Sequence, residues 1–259
     1  MLLWILSDLH LELTRSWDLP SGTARPQFDV LVIAGDLISR MERGIAWLRE
    51  RVSDKPIIYV PGNHEFFGCD IDRTVEKARQ AAAGTAIHVL QNNTITINGV
   101  LFVGATLWTD FALFGNPELA MRRAADRMND YRKIRKRQYA ERLRPADTLA
   151  RHLESRRFIA EVTRDAHADR TVVVSHHGCV REALKRGTEA DILSAAYTSH
   201  CPELLKHVDL WVYGHTHETR DFIVGLTRIV TNSKGYGPWP PHEITWDNPN
   251  FDAHCVVEI

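Results

Sequence analysis

The sequence predicts an α/β fold with a substantial parallel component. Five short β-rich runs are almost continuously apolar, which is typical of strands that are covered on both faces. Helical stretches lie between them, and this alternation favours parallel strands joined by crossover helices. The strand runs are residues 2–6, 30–34, 57–60, 171–174 and 210–213, and the helical stretches include residues 41–51 and 71–83.

Antiparallel strands are predicted beside this parallel core. Apolar and polar residues alternate around Asn98 and Gly99 in TITINGVLFVG, and Asn-Gly is a strong signal for a two-residue hairpin. A second hairpin is predicted to turn near Gly225, in DFIVGLTRIVTN, and the terminal HCVVEI is predicted to form a last strand. Both strand orientations are therefore expected.

The length and composition are those of a chain that can bury a sizeable core. It has 259 residues, 44% of them hydrophobic, and we interpret residues 1–259 as a single domain. The formal net charge of -1 gives no overall attraction to nucleic acid or to an anionic membrane. Neither the length nor the charge determines the oligomeric state.

The cysteines and the N-terminal apolar run predict the cellular compartment of the protein. The four cysteines are widely spaced and predict free thiols in a reducing environment. The first apolar run covers only six residues and lacks a basic segment before it, so it is too short for a signal peptide or a membrane span. We expect a retained first strand in a cytoplasmic protein. The cysteines are Cys69, Cys179, Cys201 and Cys255.

Residues 116–170 differ in composition from the rest of the chain. They are rich in Arg and Ala and predict a helical insertion of two or three helices joined near Arg144 and Pro145. Ten Lys or Arg and three Asp or Glu lie from Arg122 to Arg144, which raises nucleic acid as a partner. Because aromatic residues for base stacking are sparse there, we favour a solvated helix face. A cap over a functional site is the intermediate alternative.

Polar side chains follow all five predicted core strands. Open α/β sheets place their ligand sites at the carboxyl ends of the strands, so these side chains are expected to converge. Each motif alone is more often a capped turn, whereas five of them in order favour a common site. The groups are Asp8 and His10, Asp36, Asn63 and His64, His176 and His177, and His215 and His217.

These residue types suit a transition-metal centre. Carboxylate, imidazole and amide oxygen are borderline-to-hard ligands that favour Mn, Fe, Zn or Co over Cu(I). If the neighbours Asn63 and His64 supply one ligand, and His176 and His177 one more, there are seven candidate ligands, too many for one ion and suited to two ions with positions left for water. One carboxylate can bridge ions that lie about 3.5–4 Å apart. Glycines before Asp36, Asn63 and His215 would let the backbone turn sharply towards the site.

The ordered motifs resemble those of the calcineurin-like metallophosphoesterase superfamily. The resemblance extends from Asp8 to His217, and it implies a four-layer αββα sandwich in which two mixed β-sheets are flanked by helices. It also implies a dinuclear metal centre at one end of the sheets, but it does not specify a substrate. The motifs are Asp8-x-His10, Gly35-Asp36, Gly62-Asn63-His64-Glu65, His176 and Gly214-His215-Thr216-His217.

The resemblance implies a role for most of the matching residues. Asp36 would bridge two transition-metal ions, Mn, Fe or Zn, and His64 resembles the group that protonates the leaving group. His176 is preferred to His177 because the ligand usually follows the strand directly, while Glu65 is left without a role. The first ion would be held by Asp8, His10 and His217, and the second by Asn63, His176 and His215.

The predicted reaction is the hydrolysis of a phosphate ester, with Asp36 and His64 as its catalytic residues. A hydroxide that bridges the two ions would attack phosphorus in line, and His64 would protonate the leaving oxygen. The alternative from another class is a binding scaffold that has lost catalysis, although no ligand position is missing. A nuclease is a third alternative, supported only by the basic run.

Specificity is expected to depend on residues around the metal centre. Arg132 is the candidate phosphate contact, and His200, Asn232 and Tyr236 are candidate substrate contacts. The chain is nearly neutral, and no Arg is attached to a metal motif, so we lean slightly towards a small phosphodiester such as a nucleotide or a lipid headgroup. A phosphomonoester, either a small molecule or a phosphoprotein, is the alternative.

Overall fold

The computed structural model describes residues 1–14, 17–238 and 245–259. Two β-sheets pack face to face, and each contains both parallel and antiparallel strands. In spatial order the first sheet consists of β13 (Val256–Glu258), β1 (Leu2–Leu6), β2 (Val30–Ala34), β3 (Ile57–Val60) and β4 (Ile87–Val89). Only β13 in this sheet runs antiparallel to its neighbour.

The second sheet has six strands and antiparallel edges. Its four inner strands are parallel, and the edge strands β11 and β5 are each joined to their neighbour by a hairpin. In spatial order the strands are β11 (Thr219–Val224), β12 (Thr227–Asn232), β10 (Leu210–Tyr213), β9 (Arg170–Ser175), β6 (Val100–Ala105) and β5 (Asn93–Ile97). Both predicted hairpins, at Asn98-Gly99 and near Gly225, are therefore confirmed.

Helices cover the outer faces of the two sheets. The first sheet packs against α1 (Met41–Arg51) and α2 (Ile71–Ala82), and the second packs against α5 (Pro145–Arg164). Together the layers form the four-layer αββα arrangement that the motifs imply. Among the described residues, none of the helices is both long and apolar enough to cross a membrane.

The two-residue period of the strands explains how the layers are held together. In β1, Leu3 and Ile5 face the second sheet, whereas Trp4 and Leu6 face the first two helices. All four side chains are fully buried, because both faces of the strand are covered. The outer face of the second sheet is packed in the same way, through Val103, Val173, Trp211 and Ile159 of α5.

The predicted insertion contains three helices and also a small β-ribbon that was not predicted. The helices are α3 (Pro117–Arg127), α4 (Asp130–Lys133) and α5, and the ribbon is formed by β7 (Arg135–Lys136) and β8 (Glu141–Arg142). The ribbon strands are two residues long and strongly charged, so they carry no hydrophobic period that a sequence pattern could reveal. An apolar cluster that includes Phe66, Phe67, Ala120, Ala124 and Tyr131 fixes the insertion to the loop after β3.

All four cysteines are free, as predicted.

Candidate metal centre

The loops that follow β1, β2, β3, β9 and β10 meet at one end of the two sheets. Within the first sheet, the Asp8 amide donates to the Gly35 carbonyl at 3.0 Å, and the His10 amide donates to the Asp36 carbonyl at 3.0 Å. The second sheet is joined to the first by a hydrogen bond of 2.9 Å from the His215 amide to Asp8 Oδ2. These hydrogen bonds, two between backbone groups and one to the Asp8 carboxylate, fix the relative positions of the strand ends.

These loops contain strained backbone and two glycines that no other residue can replace. Gly35 has a φ of +88°, and a Cβ atom there would lie 2.7 Å from the Gly62 nitrogen, while a Cβ at Gly62 would collide with the Asp36 carboxylate. Five candidate ligands also have a positive φ, which is uncommon for residues with side chains and often marks functional sites. They are Asp8 (53°), His10 (47°), Asp36 (54°), His215 (68°) and His217 (51°).

One group of donor atoms brings together three of the predicted ligands. His10 Nε2 lies 3.2 Å from His217 Nε2, and His217 Nε2 lies 3.4 Å from Asp8 Oδ1. Asp36 Oδ2 lies 3.8 Å from His10 Nε2. Asp8, His10 and His217 are the three residues that the family resemblance assigns to the first ion, and Asp36 is the carboxylate that it assigns as the bridge.

A second group of donor atoms lies on the other side of Asp36. His176 Nε2 lies 3.0 Å from Asn63 Oδ1, 3.1 Å from His215 Nδ1 and 3.5 Å from Asp36 Oδ2. The same carboxylate oxygen therefore faces both groups, as a bridging ligand would. The structure thus brings together all seven residues that the sequence selected as ligands.

The other ring nitrogens show that these groups suit a cation. The Nδ1 atoms of His10, His176 and His217 lie 3.4, 2.9 and 2.9 Å from Glu12 Oε1, the Ala34 carbonyl and Asp247 Oδ2. An Nδ1 that donates to these oxygens leaves an Nε2 lone pair directed into the site, which is the usual arrangement of metal-bound histidines. Two such nitrogens about 3 Å apart must either share a proton or bind a metal cation.

The charge balance of the site also favours cations. Burial raises the pKa of Asp36, but the imidazoles of His176 and His64 outweigh burial and hold that pKa well below its usual range. Burial lowers the pKa of His176, yet the Asp36 carboxylate raises it to about 10. The anionic cluster therefore retains a proton where a metal ion could replace it.

Glu65 has a role that the sequence did not reveal. Its carboxylate accepts hydrogen bonds from the amides of Asp36 at 2.9 Å, Leu37 at 2.8 Å and Gly62 at 2.7 Å, and from the Tyr59 hydroxyl at 2.7 Å. The side chain is fully buried, and burial with the nearby Asp36 charge raises its pKa to about 7. Glu65 thus ties the turn after β2 to the turn after β3, which carry two of the candidate ligands.

His64 lies beside the donor groups but is held by different partners. Its Nδ1 lies 2.8 Å from Glu12 Oε1, and its Nε2 lies 3.2 Å from the Tyr236 hydroxyl and 3.9 Å from Asp36 Oδ2. Burial lowers the pKa of His64, but the Asp36 and Glu12 carboxylates together raise it. Glu12 was not selected from the sequence, although its position two residues after His10 continues the alternation of Asp8 and His10.

The insertion contributes a further carboxylate to the site. Asp130, at the start of α4, accepts a hydrogen bond from Asn63 Nδ2 at 2.8 Å, so that Asn63 Oδ1 is directed towards His176. Asp130 is buried, and burial is the main reason that its pKa is raised to about 6. The pattern of the basic segment gave no sign that one of its few acids contacts a metal motif.

The two adjacent histidines after β9 have different environments. The His177 ring is fully enclosed, and its Nδ1 donates to the Thr106 carbonyl at 3.1 Å instead of facing the donor groups. Burial and the neighbouring His176 lower its pKa to about 3. The geometry is consistent with the choice of His176 as the ligand.

A cavity of about 360 Å³ lies beside the donor groups, and only some of the predicted substrate contacts line it. Tyr236 lines this cavity, whereas the structure places the other three candidates elsewhere. Arg132 is exposed in a different groove. His200 is also exposed and accepts a hydrogen bond from the Arg181 amide. The Asn232 side chain forms hydrogen bonds with the backbone of Ile5 and Asp252. Arg127 and Lys185, which were not selected, do line the cavity.

Comparison with known proteins identifies relatives across the whole chain. A family model described as calcineurin-like phosphoesterase matches residues 1–219, the family that the motifs resemble. An uncharacterised protein of Acanthamoeba polyphaga mimivirus is 25% identical over 282 residues, which cover 98% of this chain and 95% of that protein.

The crystal structure of phosphopantetheinyl hydrolase from Mycobacterium tuberculosis has a similar fold. It is 21% identical, the match covers 90% of this chain and 89% of that one, and the TM-score is 0.66. At this level of identity the similarity concerns the fold alone. It agrees with the four-layer arrangement described above.

The hydrogen bonds of Glu65 predict a large effect on stability. In Glu65→Ala, three buried amides and a buried hydroxyl lose their acceptor, so we expect the free energy of unfolding to fall by about 3–5 kcal/mol. Glu76→Ala, which alters an exposed glutamate of α2, should cost less than about 0.5 kcal/mol. Urea denaturation of the metal-free proteins measures both, and equal midpoints for the two variants would contradict the role of Glu65.

The contact between Asp130 and Asn63 predicts an effect on metal binding. In Asp130→Ala the Asn63 amide is free to rotate, so we expect the affinity of the second metal site for Mn²⁺ to fall by about 10–100-fold. Asp130→Asn keeps an acceptor and should lose less. Calorimetric titration with Mn²⁺ measures the effect, with Asp126→Ala on the exposed face of α3 as the control. Unchanged second-site affinity in Asp130→Ala would disprove the prediction.

Proposed function

The chain belongs to the calcineurin-like phosphoesterase family, and we propose that it hydrolyses a phosphate ester with two bound transition-metal ions. The single observation that carries this proposal is that two groups of donor atoms meet at Asp36 Oδ2. Their carboxylate, imidazole and amide donors suit Mn, Fe or Zn. The first ion would be held by Asp8, His10 and His217, the second by Asn63, His176 and His215, with Asp36 shared between them.

The metal ions would provide the nucleophile, and His64 would provide the proton. When bound, two ions neutralise charge on the phosphoryl oxygens and make a water molecule nucleophilic near neutral pH. Glu12 holds the Nδ1 side of the His64 imidazole at 2.8 Å, so the Nε2 proton of the charged ring remains available to the leaving oxygen. The Tyr236 hydroxyl lies 3.2 Å from Nε2, and a leaving oxygen would have to replace it as the partner of that nitrogen.

The cavity supports a small molecule as the substrate. Its volume of about 360 Å³ is at the lower end of small-ligand sites, and Phe67, Leu184 and Tyr197 contribute apolar side chains to its walls. We lean towards a phosphodiester, because this space accommodates a second ester arm, and keep a phosphomonoester as the alternative. At a fixed Mn²⁺ concentration, bis(4-nitrophenyl) phosphate should be hydrolysed faster than 4-nitrophenyl phosphate. A clear preference for the monoester would overturn this choice.

Metal content tests the shared carboxylate. Protein loaded with Mn²⁺ should contain about two ions per chain, as expected for two-metal hydrolases. Asp36→Ala should weaken both sites because the carboxylate faces both donor groups, whereas His10→Ala should mainly empty one. His177→Ala is the matched control and should retain both ions, since its ring binds a backbone carbonyl. Elemental analysis that finds a single ion in the loaded wild type would refute the two-metal proposal.

The leaving group tests His64. His64→Ala should retain both ions and lose activity by about 10²–10⁴-fold on esters with poor leaving groups, the usual contribution of general acid catalysis. On nitrophenyl esters the loss should be much smaller, because nitrophenolate leaves without a proton. Glu12→Gln, which alters the partner of Nδ1, should show the same dependence to a lesser degree. An equal loss on both kinds of ester would argue against the acid role.

A further inference from the structure

We propose that the substrate carries a second phosphate group and that Arg127 and Lys185 bind it at the mouth of the cavity. This inference rests on the proposed function, because it describes the substrate of the same site. It concerns two residues of the cavity lining, Arg127 and Lys185, that lie outside the family motifs. Arg127 is exposed and Lys185 is partly buried, as expected for side chains at an entrance.

The acidic side chains that line the cavity have hydrogen-bond or ion-pair partners, whereas the Arg and Lys side chains have none in the part of the chain that the structure describes. Every acidic side chain of the lining is already engaged: Asp36 with the donor groups, Asp130 with Asn63, Asp191 with the Leu193 amide and Asp247 with His217. By contrast, neither the Arg127 guanidinium nor the Lys185 ammonium group has an ion pair or a hydrogen bond within residues 1–14, 17–238 and 245–259. These two cations therefore remain available to an anionic group of a ligand.

Position distinguishes Arg127 from the rest of the basic segment, Arg122 to Arg144. Arg132 and Lys133 lie in a separate groove beyond Phe67, and Lys136 is paired with Asp147 at 2.7 Å. Arg127 is the arginine of this segment that lines the cavity. The inference therefore depends on Arg127 and Lys185 in the cavity and not on the basic run as a whole.

Both cations are attached to well-fixed backbone. Arg127 is the last residue of α3 and precedes by three residues Asp130, which contacts Asn63, so its Cα lies within about 11 Å of that of Asp130. Lys185 follows Leu184, whose carbonyl accepts from the Arg220 guanidinium at 3.1 Å. The two side chains thus approach one cavity from separate elements, the insertion and the loop after β9.

The apolar side chains of the cavity suit the body of such a substrate. Met128, Leu184, Leu193 and Tyr197 line the same cavity as the donor groups and the two cations. An ester with one phosphate at the metal centre would lay an apolar or planar body over these side chains and present its second phosphate to the cations. Guanidinium and ammonium groups bind phosphate by charge-assisted hydrogen bonds, each worth about a 10–100-fold change in affinity.

Matched substrates test the inference. We would compare thymidine 5′-(4-nitrophenyl phosphate) with its 3′-phosphorylated form, and adenosine 5′-phosphate with adenosine 3′,5′-bisphosphate, using Mn²⁺-loaded protein. In the wild type the second phosphate should raise kcat/KM by about 10-fold or more, mainly through KM and less at high salt. Arg127→Ala and Lys185→Ala should each reduce this advantage by about 10-fold. Arg132→Ala, an exposed arginine outside the cavity, should preserve it.

The outcomes separate this inference from the proposed function. Hydrolysis of both members of a pair with equal kcat/KM would overturn the second-phosphate site and leave the phosphoesterase intact. If neither pair is hydrolysed, calorimetric binding of adenosine 3′,5′-bisphosphate decides the matter. Binding that is weakened in Arg127→Ala but not in Arg132→Ala would uphold the phosphate site without the reaction, and binding that is the same in both would overturn it.

Discussion

The structure of the site depends on the buried carboxylate of Glu65. It accepts from amides on both sides of the cluster, at Asp36 and Leu37 after β2 and at Gly62 after β3, and so fixes two tight turns in one relative orientation. Asp36 and Asn63 project from those turns, and their positions decide where the two donor groups meet. A buried carboxylate with four hydrogen-bond donors is stable, whereas the same turns without it would leave several amides unpaired.

The fixed arrangement of the candidate ligands lowers the stability of the fold. Five of its candidate ligands have a positive φ, and three carboxylates lie close together away from water at Asp8, Asp36 and Glu65. The two close-packed sheets and their helices compensate, because strands such as β1 are buried on both faces. Nearby hydrogen-bond partners then orient the ligands: Glu12, Asp247 and the Ala34 carbonyl direct the rings, and Asp130 directs the Asn63 amide.

The insertion shapes the cavity beside the candidate metal centre. Its apolar side chains pack on Phe66 and Phe67 directly after the metal motif, so its position is coupled to that loop. From there Asp130 accepts a hydrogen bond from Asn63 of the second donor group, and Arg127 lines the cavity. The same segment therefore contacts both a candidate ligand and the space beside the donor groups.

The sequence by itself determined the parallel core, both hairpins and the seven residues that converge, because these depend on local patterns. Continuous apolar runs mark buried strands, and side chains directly after parallel strands must share one edge of a sheet. Glu12, Glu65, Asp130, Arg127 and Lys185 were decided only by the tertiary structure, as was the displacement of Arg132, His200 and Asn232 from the cavity. Their surroundings come from elements far apart in the chain, and no local period records which carboxylate will meet an amide or which arginine will face a cavity.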